Sequence, residues 1–129
     1  MRPMRILIAD DNKDAAESLG ILLEMSDHDV RVVLGGRTAL DATTDWPADL
    51  AVLDLDMPDM NGFATARALR QRFPRIRLVA LSGFLDEENR RHASLTGFDL
   101  CFAKGLPFGE LRASIDELLQ QAAGTQTHD

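Results

Sequence analysis

Leu50-Ala-Val-Leu-Asp-Leu-Asp-Met-Pro-Asp-Met-Asn-Gly62 decides the fold. Four apolar residues, Leu50 to Leu53, run without polar alternation, as in a strand covered on both faces. The run stops at Asp54, and Pro58 to Gly62 then supplies turn chemistry before a helical pattern begins at Phe63. The same grammar recurs outward in both directions. Strands are expected at Arg5–Asp10, Val30–Leu34, Leu50–Asp54, Arg77–Ser82 and Asp99–Ala103. Helical periodicity fills the intervals: Ala15, Leu19, Leu22 and Leu23 share one face, as do Phe63, Ala66, Leu69 and Phe73. Phe108, Leu111, Ile115, Leu118 and Ala122 mark a last helix, with a short one around Gly36–Thr44 and a very polar one from Asp86 to His92. Five βα units imply a single doubly wound α/β domain, a parallel sheet with helices on both faces.

The chain has 129 residues, enough for one domain, read as 1–122 with a flexible tail at 123–129 and no output domain behind it. It is 45% hydrophobic and 27% charged, which argues against disorder. A net charge of -7 disfavours binding to phosphate backbones or anionic lipid. One cysteine, Cys101, excludes an internal disulfide and a cysteine-rich zinc site. His28, His92 and His128 show no ligand spacing and read as solvated. The N-terminal apolar run, Ile6–Ala9, is too short for a secretory signal, so a cytoplasmic setting is expected.

In an open α/β sheet, ligands bind at the carboxyl ends of the strands. Those ends carry Asp10-Asp11, Asp54, Ser82-Gly83 and Lys104. Three carboxylates at one rim repel each other, and a hard cation such as Mg²⁺ would relieve them. Lys104 and Ser82 suit phosphoryl oxygens, which suggests phosphoryl transfer to or from a carboxylate. Each residue also has a plainer reading. Asp10, Asp11 or Asn12 could cap the first helix, Asp54 and Ser82 could merely form turns, and Lys104 could be a solvated lysine.

ILIADDN (6–12), LAVLDLDMPDMNG (50–62), LVALSG (78–83) and GFDLCFAK (97–104) together resemble the receiver domains of two-component response regulators. The resemblance implies a flavodoxin-like (βα)5 fold of strand order 2-1-3-4-5. It implies a phosphoacceptor, not a turnover enzyme: Asp54 takes a phosphoryl group from a phosphohistidine of a sensor histidine kinase or phosphotransfer protein. Asp10, Asp11, Asp54 and the backbone carbonyl of Asp56 would hold Mg²⁺, and Ser82 and Lys104 would contact the phosphoryl group. Ser82 would then be drawn inward, and the helix 4–strand 5–helix 5 face would rearrange for a downstream partner or a homodimer. Asp56 and Phe84, two residues beyond Asp54 and Ser82, occupy positions that tune phosphoryl lifetime.

Two departures stand out. The place where receivers often carry a switching aromatic is Cys101, read as a small buried apolar residue, and Phe102 should point to the opposite face. Receivers usually have Pro directly after the lysine; here Lys104-Gly105-Leu106-Pro107 looks like a two-residue insertion, and a cis Lys104–Gly105 bond cannot be assumed. Two rivals remain. One is a haloacid-dehalogenase-type phosphatase using Asp54 and Asp56, though its motif order is wrong. The other is a receiver-fold interaction module that phosphorylation does not regulate.

Overall fold

The structure, a computed structural model, describes residues 3–127, with side-chain burial through residue 121. Strands β1 (Arg5–Ala9), β2 (Asp29–Val33), β3 (Leu50–Asp54), β4 (Arg77–Ser82) and β5 (Leu100–Ala103) alternate with helices α1 (Lys13–Glu24), α2 (Gly36–Ala42), α3 (Gly62–Arg72), α4 (Glu87–Thr96) and α5 (Phe108–Thr127). All strands are parallel, in the order β2-β1-β3-β4-β5. The expected fold is the observed one. Strand ends move by a residue: Asp10 and Asp99 lie just outside β1 and β5, and β2 starts at Asp29 and stops before Leu34.

The central strands bury both faces, which is why they read as unbroken apolar runs. Leu7, Ala9, Ala51, Leu53, Leu78 and Ala80 pack under α2, α3 and α4 with Trp46, Ala66, Leu69 and Phe98. Ile6, Ile8, Leu50, Val52 and Val79 pack under α1 and α5 with Leu23, Leu111, Ile115 and Leu119. The buried residues of α1 are Ala16, Gly20 and Leu23, with Leu19 and Leu22 half-buried beside them and Ala15 exposed, a slight rotation of the expected Ala15–Leu19–Leu22–Leu23 face that keeps Leu23 inside. Gly20 explains the rotation: a Cβ there would lie 2.8 Å from Val32 Cγ2, so the helix seats its glycine against the sheet. The α4 helix buries only Ala93, leaving Leu95 81% exposed, as its polar sequence anticipates.

Two expectations need correction. His28 is not solvated: its side chain is 5% exposed, its Nδ1 accepts the Met4 N–H at 3.4 Å, and its Nε2 faces Asp116 at 3.9 Å. The turn after α1 folds it back over α5, a long-range contact that ligand spacing could not reveal. His92 is exposed, as expected, and its ring also stacks on Phe63, with centroids 3.7 Å apart. The helical backbone of α5 continues to Thr127, five residues into the stretch expected as a tail; Gln120-Gln121-Ala122-Ala123 favours helix. The side chain of Ala122 and the terminal His128 and Asp129 lie outside the described residues.

Candidate functional site

Side chains alternate along a strand, so positions two apart share a face. Ile8, Val52 and Phe102 all face α1 and α5. Two residues further along their chains stand Asp10, Asp54 and Lys104, which therefore converge at the carboxyl rim of that face. Lys104 Nζ lies 3.1 Å from Asp10 Oδ2 and 3.1 Å from Asp54 Oδ2. The two carboxylate side chains are 4% and 3% exposed. Burial alone would pull the Lys104 ammonium down, but hydrogen bonds and charge from both aspartates outweigh it and raise its pKa above the ordinary lysine value. The reading of Lys104 as a solvated lysine is thus excluded.

Asp11 completes an acidic cluster: Asp10, Asp11 and Asp54 each offer an oxygen, all within 4.8 Å of one another. The capping alternatives also resolve. Asn12 caps α1, its Oδ1 accepting the Ala15 N–H at 3.1 Å. Asp10 Oδ1 accepts the Asn12 N–H at 3.0 Å, and Asp54 Oδ1 accepts the Asp56 N–H at 3.1 Å. Each carboxylate is thus oriented by the turn that follows its strand. The carboxylate of Asp11 is exposed and makes no hydrogen bond or ion pair within the described residues, leaving its oxygens open.

Ser82 is fully buried at the end of β4, on the α3–α4 side of the sheet with Ala80 and Cys101. Its hydroxyl donates to the Phe84 carbonyl at 2.7 Å, and its Oγ lies 3.2 Å from the Phe84 nitrogen, whose N–H it accepts. Phe84 itself is 70% exposed. Cys101 packs with the α3–α4 core and Phe102 with the α1–α5 core, so the two do point to opposite faces. Burial pushes the Cys101 thiol up, partly countered by the charge of Arg90, which suits an inert packing residue. No peptide bond among the described residues is cis. The insertion is absorbed instead by Gly105 at φ +92°, a left-handed conformation that glycine adopts freely. The Lys104 N–H still donates to Ser82 O at 2.8 Å, which keeps the lysine in register with β4. Leu106 turns down over a cleft of about 210 Å³ between α1 and α5, where Leu19, Leu22 and Phe108 also line the wall.

Sequence reading missed Asp59. The α2 helix starts at Gly35-Gly36, which offers no capping side chain. Asp59, in the loop between β3 and α3, supplies one: its carboxylate accepts the Gly36 and Arg37 N–H groups at 3.2 and 3.1 Å. The Arg37 bond, ahead of the others, holds the Asp59 carboxyl below its ordinary pKa against a smaller opposing desolvation. A helix beginning on two glycines was the available signal. Because the folded pKa is depressed, this stabilisation is complete above the ordinary carboxylate pKa and disappears as pH falls through the depressed value. Asp59→Ala should therefore denature at lower urea than wild type at pH 7, with the gap closing below about pH 4. A gap that is constant with pH would show that the carboxylate charge is irrelevant.

The response regulator receiver domain model matches residues 6–116. The chain belongs to this family. Response regulator relatives include the transcriptional regulatory protein PrrA of Mycobacterium tuberculosis, 30% identical over 95% of this chain and 53% of that protein. The cell cycle response regulator CtrA of Brucella abortus is 27% identical over 94% of this chain and 52% of its own length. The receiver thus spans about half the length of the curated relatives it matches. A CheY-like receiver domain structure from Methanospirillum hungatei superposes with a TM-score of 0.90, covering 95% of this chain and 98% of that one at 24% identity, a likeness of fold. Receivers are signalling domains, and neither the phosphatase reading nor the unregulated-module reading gains support from these relatives. No helix among the described residues is long and apolar enough to cross a membrane.

Proposed function

We propose that this receiver accepts a phosphoryl group on Asp54 and reports it through the α4–β5–α5 face. The observation that carries this is the contact of one ammonium, Lys104, with two buried carboxylates, Asp10 and Asp54, at the strand ends. Asp54 Oδ attacks the phosphorus of a phosphohistidine on a kinase or phosphotransfer partner. The new O–P bond forms as the P–N bond breaks, and its electron pair leaves with the imidazole nitrogen. Lys104 moves its hydrogen bond from Asp54 to a phosphoryl oxygen, so positive charge is already in place where negative charge accumulates.

The donor set fits Mg²⁺: hard oxygens only, close together, with Asp11 unengaged. Asp10, Asp11, Asp54 and the Asp56 carbonyl would hold it, and when bound it neutralises charge on the transferring group. Ser82 donates its hydroxyl to a second phosphoryl oxygen. Cys101, beneath it on the same face, leaves that movement without an aromatic ring to follow it. Asp56 and Phe84, both exposed beside the site, set how readily water reaches the phosphoaspartate. This is signalling, with no turnover of a separate substrate, in a cytoplasmic setting where kinase and target are accessible.

Intact mass after incubation with acetyl phosphate tests the reading. One phosphoryl addition per chain is expected with Mg²⁺ and essentially none with excess chelator. Absence of any addition, from acetyl phosphate or from a phosphohistidine donor, would return weight to an interaction module that phosphorylation does not regulate.

A further inference from the structure

The Ser82 hydroxyl has one proton, and in this structure that proton is committed to the Phe84 carbonyl at 2.7 Å. The same carbonyl accepts a second hydrogen bond, from Asn89 Nδ2 at 3.0 Å. Asn89 is in the first turn of α4, and its own N–H is held by the Asp86 cap at 2.8 Å. A continuous chain therefore runs from the buried end of β4, through one loop carbonyl, to the start of the helix that carries the exposed Leu95. We infer that Asn89 is the positioning residue of the Ser82 switch: it fixes the Phe84 carbonyl as the resting partner of Ser82, and carries the departure of that hydroxyl into α4.

The proposal rests on the phosphoacceptor role of Asp54 and adds a route by which the switch leaves the site. Ser82 cannot donate to a phosphoryl oxygen and to Phe84 O together, so phosphorylation must break the first link. Phe84 O is then left with Asn89 alone, and the loop between β4 and α4 is free to follow the helix. Cys101 could not carry such a signal, because it has neither a ring to swing nor a bond to Ser82. A hydrogen-bonded relay through backbone and Asn89 needs nothing at position 101.

Side-chain amide resonances of ¹⁵N-labelled protein provide the test, since the chain has only three asparagines: Asn12, Asn61 and Asn89. Beryllofluoride with Mg²⁺ serves as the phosphoryl mimic. In wild type the backbone amides of residues 54–57 and the Asn89 carboxamide should both shift. Ser82→Ala removes one contact to the mimic and should need more beryllofluoride, so the comparison is made at a concentration where its 54–57 shifts have saturated; there the Asn89 carboxamide should stay. If wild type moves 54–57 but not Asn89, or if Ser82→Ala moves Asn89 just as wild type does, the relay is wrong and the site stands. If nothing moves in wild type, the Asp54 reading fails and the relay with it. Kinetics give a second arm. Asn89→Ala and the isosteric Asn89→Asp, whose added acid suits a helix N-terminus, should both take up phosphoryl from acetyl phosphate faster. Releasing one hydrogen bond that favours the resting state predicts about three- to ten-fold. Unchanged rates in both variants, with both still folded, would overturn the assignment.

Discussion

Asp54→Asn should fold like the parent and take up no phosphoryl group. The substitution keeps the shape of a buried side chain and one of its oxygens, so the Asp56 N–H retains its acceptor. Lys104 loses one partner but keeps Asp10. The structural cost is therefore small, while the chemical loss is complete, because a carboxamide nitrogen has no lone pair free to attack phosphorus. Under the conditions that label wild type, intact mass should show only the unmodified chain. Undiminished labelling of the variant would move the acceptor to Asp11 or Asp56 and sink the assignment. A matching far-ultraviolet circular dichroism spectrum would exclude misfolding as the cause of a negative result.

Lys104→Met should lose both reactivity and stability. Methionine fills a similar volume without charge, leaving two buried carboxylates facing each other with no cation between them. Breaking a buried pair costs about 3–5 kcal/mol. The Lys104 side chain is 30% exposed, so we expect about 2–3 kcal/mol. Urea denaturation at pH 7 should reveal the loss, and millimolar Mg²⁺ should recover much of it by taking over the charge balance. Uptake from acetyl phosphate should fall by about 10²–10³, the scale of removing one preorganised charge from a transferring group. A variant of wild-type stability that Mg²⁺ does not affect would mean that solvent, not Lys104, screens the aspartates.

The parts of this molecule written in local pattern were legible in the sequence. Unbroken apolar runs such as Leu50–Leu53 marked strands buried on both faces, and the strand ends then located Asp10, Asp54 and Ser82 without any structure. What the sequence concealed depends on long-range contact. His28 looks solvated until α5 is laid beside it, and the face of α1 is decided by Val32 meeting Gly20. The reach of Lys104 was obscured by the missing proline and the two added residues; Gly105 resolves it by turning where no other residue would do so cheaply. Asp59 was hidden for a related reason, since it acts on backbone groups of a different element, whereas Asn89 turns back on a loop carbonyl five residues before it, a contact that no spacing rule singles out.

The loop following β3 is tied down in its middle and at its far end. Asp59 grips the start of α2, and Gly62 passes so close to β3 that a Cβ on it would fall 2.4 Å from the Asp54 carbonyl oxygen. The consequence concerns when disorder is surrendered. A free loop of this length would have to give up backbone freedom of roughly 1–2 kcal/mol per residue each time a partner arrived. Here that surrender is made once, during folding, so the encounter with a phosphodonor finds the segment from Leu55 to Asn61 already arranged. A fleeting collision can then suffice for transfer.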